Sequence, residues 1–142
     1  MGVTNVRRVI VFIVALFTTT AASAHEIGTL QVRALFQRDH TYVIDVIALP
    51  ETIAKRLHGD PITKHLSIAF NNVRVTPKVE NTEYGVRLTG EIPPRTETFT
   101  WRYDLTFSSY VITLENQGHG ATRQWLEGDA LSHFRTLPET LG

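Results

Sequence analysis

The sequence predicts an all-β fold: an immunoglobulin-like antiparallel β-sandwich with one short helix, preceded by a signal peptide. Three observations carry this reading. Between Thr98 and Phe107, the residues Phe99, Trp101, Tyr103, Leu105 and Phe107 alternate with Thr98, Thr100, Arg102, Asp104 and Thr106. That period of two gives a strand one apolar and one polar face. The stretch from Ile27 to Ala48 matches its own apolar residues across Arg38-Asp39-His40. Turn residues recur along the rest of the chain at intervals that mark about seven or eight short strands.

The chain has 142 residues, and the first 24 read as an export signal rather than as fold. Arg7-Arg8 precede an uncharged apolar run, Val9 to Phe17, and Ala22-Ser23-Ala24 supplies the small-residue cleavage site. The run is too short for a membrane span. Val9-Ile10-Val11-Phe12 directly after the arginines favours the general export route over the twin-arginine one. Residues 25–142 then form a single β-sandwich domain. There is no cysteine, so lipid anchors, disulfides and thiolate metal sites are excluded. A domain of this size without disulfides must be held by its core, which suits a bacterial periplasm. Acids and bases balance in the whole chain, and removing Arg7 and Arg8 leaves the acids two in excess. Nothing in that charge balance favours nucleic acid or an anionic lipid surface.

The first hairpin joins Ile27–Gln37 to Thr41–Ala48. Its expected register sets Leu30 against Ala48, Val32 against Val46, Ala34 against Ile44 and Phe36 against Tyr42, all on one face. The other face pairs Leu35 with Val43 and Arg33 with Asp45, an ion pair. Glu51 to Leu57 reads as the one helix: Pro50 stands at its start, an acid lies in its first turn and Lys55-Arg56 lie in its last. Gly59 follows His58 where a helix-terminating glycine belongs, and Asp60-Pro61 closes the turn. Leu66, Ile68 and Phe70 lead into Asn71-Asn72, a two-residue hairpin turn, from which Val73 and Val75 return on the same face. Pro77 cannot donate to a ladder and marks a strand at an edge. Tyr84, Val86 and Leu88 form the next strand, stopped by Gly90 and Pro93-Pro94.

Ser108-Ser109 is read as the turn of a long central hairpin. This sets Phe107 against Tyr110, Leu105 against Ile112, Tyr103 against Leu114, and Arg102 against Glu115. Asn116 to Gly120 is a loop. Arg123–Glu127 and Ser132–Leu137 are short closing strands.

No catalytic signature is present: there is no G-x-S-x-G, no phosphate-cradling glycine loop and no cysteine nucleophile. Asp45 and Asp104 are assigned to ion pairs on outward strand faces, and Trp101 and Trp125 to packing in or at the rim of the core in preference to a ligand platform. The sharpest chemical candidate is His25. Cleavage after Ala24 would leave its amine and imidazole free to chelate copper or nickel together with a second histidine. His40, at the far end of the first hairpin, is too distant to take part, which leaves His58 and His65 as the metal-site partners. His119 sits in an exposed loop and His133 on a closing strand. Leu35, Val43 and Ile47 make the outer face of the first hairpin more apolar than a solvated face requires, which marks either a partner surface or a second packed layer.

The chain resembles the extracytoplasmic N-terminal domain of HupE/UreJ-type membrane proteins. The resemblance is carried by Ala24-His25-Glu26-Ile27, by Phe99-Thr100-Trp101-Arg102-Tyr103 with Ser109-Tyr110, and by Trp125-Leu126-Glu127-Gly128. It implies a periplasmic domain allied to hydrogenase or urease accessory roles and to the handling of nickel or another metal. Members of that family carry a multi-helix membrane region after this domain; here the sequence runs to Gly142 without one. The resulting expectation is a non-enzymatic periplasmic binding or accessory module for a membrane or periplasmic protein partner. The alternative is a copper- or nickel-binding protein built on His25.

Overall fold

A computed structural model describes residues 30–106, 108–128 and 132–135, the last four as backbone. The expected signal peptide, His25 and Phe107 lie outside the described residues. In chain order the elements are β1 (Gln31–Phe36), β2 (Thr41–Ile47), α1 (Pro50–Leu57), a 3-10 turn (Ile62–Lys64), β3 (Leu66–Phe70), β4 (Val73–Val75), β5 (Lys78–Thr82), β6 (Gly85–Glu91), β7 (Thr98–Tyr103), β8 (Tyr110–Asn116), β9 (Ala121–Leu126) and β10 (Ser132–Arg135). They form a six-stranded sheet, ordered β5-β6-β2-β1-β8-β9, and a four-stranded sheet, ordered β10-β7-β3-β4. Among the described residues this is the expected β-sandwich with one short α-helix. Every pairing is antiparallel except β1 with β8, which run parallel.

The core lies between the sheets. Val32, Ala34, Phe36, Tyr42, Ile44 and Val46 of the first hairpin are buried on one face, in the register the sequence predicts. They meet Ile68, Phe70, Phe99 and Trp101 of the smaller sheet. The Phe36 ring packs edge-on to Phe99 at 5.1 Å and to Phe70 at 6.4 Å between centroids. Each fully buried side chain of this size contributes roughly 1.5–3 kcal/mol of transfer free energy. One polar link crosses the core: Trp101 Nε1–H donates to the Tyr110 hydroxyl at 2.8 Å, and both residues are fully buried.

Helix α1 forms as predicted, with Pro50 in its first turn and Ile53 as its buried anchor. The residue that turns left-handed at its end is His58, at φ 50°, followed by Gly59 at φ 86°. Asn71 and Asn72 have φ of 50° and 63°, so the β3–β4 turn is of the mirror-image kind that matches strand twist. β4 is indeed an edge strand. Its Val75 packs on the core, whereas Val73 is exposed.

Two expectations need correction. The stretch 98–114 does not form a hairpin. β7 belongs to the four-stranded sheet, between β3 and β10, and β8 belongs to the six-stranded sheet, beside β1 and β9. The chain passes from one sheet to the other between Tyr103 and Tyr110. Alternation fixes which face of a strand is apolar but not which strand lies beside it. The two apolar faces therefore meet through the core, with Tyr103 edge-on to Tyr110 at 6.1 Å. Arg102 and Glu115 project from opposite sides of the sandwich and are not cross-strand partners.

The second correction concerns β5, Lys-Val-Glu-Asn-Thr, which shows little apolar alternation to announce it. It pairs with β6 at the edge of the large sheet. The two-residue turn between them holds Tyr84, which is therefore exposed and not the first inward residue of β6. Among the described residues the sandwich thus has ten strands. Gly85 explains the break: its φ is 148°, and a Cβ there would collide with the Val46 carbonyl oxygen.

Candidate functional site

The outer face of the six-stranded sheet presents an ordered set of apolar and charged side chains. Register places its residues in rows running across all six strands. One row is Glu80, Arg87, Asp45, Arg33, Thr113 and Arg123; the next is Lys78, Thr89, Val43, Leu35, Glu115 and Ala121. A third brings Ile47, Gln31, Val111 and Trp125 into line.

Asp45 sits opposite Arg33, as expected, but its carboxylate is held by Arg87 on its other side. Arg87 Nε–H donates to Asp45 Oδ1 at 2.8 Å and Nη2–H to Oδ2 at 3.2 Å. This forked bond holds the Arg87 guanidinium above its ordinary pKa. Leu35, Val43 and Ile47 are half-buried in this face, with no second layer over them among the described residues. Shallow hollows of about 330 Å³ and 590 Å³ flank the Arg33–Asp45–Arg87 row.

At one end of the sheet this face continues around Ile47 and Tyr84 into a cleft of about 520 Å³. Leu30, Leu49, Ile53, Arg56, Tyr103 and Leu105 line it as well. Two of these lining residues, Leu49 and Tyr84, are 70% and 71% exposed. Arg56 closes the floor by donating to the Leu105 carbonyl oxygen at 2.5 Å. Burial pushes the Tyr103 hydroxyl up to about 12, against a smaller opposing pull from Arg56.

The histidines stand apart from this surface. His58 is exposed at the end of α1. His65, just before β3, lies between two carboxylates. Its Nδ1–H donates to Asp104 Oδ1 at 2.8 Å, while Nε2 is 3.6 Å from Asp60 Oδ2 and has no hydrogen-bond partner. Lys64 also approaches Asp60, at 3.6 Å. Among the described residues no group of three or more His, Asp or Glu side chains is placed to hold a metal ion. His25 lies outside them.

Sequence reasoning anticipated the apolar outer face of the first hairpin and ion pairs for Asp45 and Asp104. It missed their actual partners, Arg87 and His65, which are 42 and 39 residues away. It also placed Trp125 in or beside the core, whereas Trp125 is 70% exposed on an edge strand. Its alternation was legible, but the sheet position that leaves its strand outermost was not. Among the described residues no helix is long and apolar enough to cross a membrane. Fold and face together define a β-sandwich with a broad, mixed apolar and charged outer surface. No family model, curated protein or solved structure matches the chain.

Proposed function

We propose that this chain is a non-enzymatic accessory module, exported to the periplasm, that binds a membrane or periplasmic protein through the outer face of its six-stranded sheet. The observation that supports this is the set Leu35, Val43 and Ile47, half-buried on the outside of a sandwich whose core is complete without them. The Arg33–Asp45–Arg87 row runs between Val43 and Ile47, so apolar and charged rows alternate across the face, and such a mixed surface suits recognition of a protein partner. The resemblance to HupE/UreJ-type domains accords with a membrane-protein partner. The test is cross-linking in the periplasm with identification of the adduct by mass spectrometry. Leu35→Asp and Val43→Asp should abolish the adduct while the chain still folds, which circular dichroism checks. An adduct that survives both substitutions would contradict the assignment.

A second reading is kept because of one feature, the ring of His65. A metal-ligating imidazole commonly donates its other N–H to a carboxylate, as His65 does to Asp104, leaving Nε2 for the metal. In this reading His25 supplies an amine and an imidazole to the same copper or nickel ion. Titration of the processed protein with Cu(II) and Ni(II), beside His25→Ala and His65→Ala, tests it. Tight one-to-one binding lost in both variants would establish the site; binding indifferent to both would remove it.

A further inference from the structure

The six-stranded sheet ends at β9, which is paired only with β8 among the described residues. An open edge offers a row of unpaired backbone donors and acceptors to any other strand, and natural sheets usually blunt such edges. β4 is three residues long and is followed by Pro77. β5 carries Lys78 and Glu80. β9 is the least blunted of these three edges. It is six residues long, lacks proline, has Arg123 as its one charge, and exposes Ala121 through Trp125.

The outward-facing residues of this edge read Arg123, Trp125, Glu127. Glu127 directly follows the last residue of β9, where alternation from the buried Leu126 sets it on the side of Trp125, and the Ser109 hydroxyl donates to its Oε1 at 3.3 Å. This triplet is self-complementary. When two copies pair antiparallel with Trp125 against Trp125, residues equidistant from the centre face each other, so Arg123 of each copy meets Glu127 of the other. Sliding the pairing by one step of the pleat on each strand, to centre it on Arg123, sets Arg123 against itself. Within one copy the two charges stand about 13 Å apart along the strand, at roughly 3.3 Å per residue, and cannot pair. We infer that the chain self-associates edge to edge through β9, joining two six-stranded sheets into one continuous sheet. The occupant of this edge is a second copy of the chain. A single strand contact buries less than the roughly 1,200–2,000 Å² of a standard stable complex, so the dimer belongs to the weak, concentration-dependent class.

Sedimentation equilibrium of the purified chain over a concentration series tests this, with tryptophan emission read in parallel. Trp101 is fully buried, so a concentration-dependent blue shift reports Trp125. Arg123→Glu alone and Glu127→Arg alone should each weaken association at least tenfold, since each creates two like-charge contacts. The double exchange Arg123→Glu/Glu127→Arg should restore it, a recovery that simple misfolding cannot mimic. A monomer at every concentration would overturn the inference and leave the edge for a strand of another protein. A dimer indifferent to the single charge changes, or one not restored by the double exchange, would overturn it equally.

Discussion

Three buried tyrosines and one tryptophan set the chemical character of the core. Trp101 spends its indole N–H on Tyr110, and the phenol is held inside the sandwich to receive it. Replacing Tyr110 with Phe keeps the ring but leaves that N–H buried without a partner, and should cost about 1–3 kcal/mol in urea unfolding. An unchanged midpoint would show that the bond contributes nothing. Burial raises the pKa of Tyr42, and raises Tyr103 and Tyr110 to about 12. The neutral phenol is therefore favoured in the folded state. Its contribution is fully present below the unfolded value near 10, and is lost as pH rises from about 10 through 12. Tyrosinate absorbance and circular dichroism followed together should show these tyrosines ionising only as the sandwich opens. Their ionisation near pH 10 in a folded chain would contradict this.

At the scale of elements, the readable parts were those governed by neighbours in sequence. The first hairpin kept its register from Val32–Val46 to Phe36–Tyr42 because both strands and their turn are adjacent in the chain. Helix α1 was legible from Pro50, Glu51 and Lys55-Arg56 for the same reason. The β7–β8 segment was misread because its partner assignment rests on contacts with β1 and β3, which lie far away in sequence. β5 was missed because an edge strand exposed on nearly its whole length needs no apolar period. Helix termination is shared by His58 and Gly59, and a non-glycine residue in the left-handed region carries a cost of roughly 1–2 kcal/mol. His58→Gly should therefore raise the melting midpoint modestly. Gly85→Ala should lower it sharply, because a Cβ has no room against the Val46 carbonyl. A neutral Gly85→Ala variant would mean that the β5–β6 turn relaxes freely.

For the whole molecule, two sheets of unequal width leave one face as core and one as surface, and the difference should be visible in stability. Val32→Asp or Ile44→Asp places a charge in the fully buried layer and should abolish folding, whereas Leu35→Asp and Val43→Asp on the same two strands should not. The candidate surface was only half legible in sequence. Its apolar residues followed from alternation, but the Arg87 clamp on Asp45 and the exposed Tyr84 and Leu49 depend on β6 and α1 lying beside the hairpin. The most direct test of the central claim is site-specific photo-crosslinking from position 43 in living cells, with position 73 as control. Val43 lies on the outer face, whereas Val73 is exposed on β4 of the other sheet. The account predicts one discrete protein adduct from position 43 that position 73 does not give. No adduct from position 43, or the same adduct from both, would contradict it.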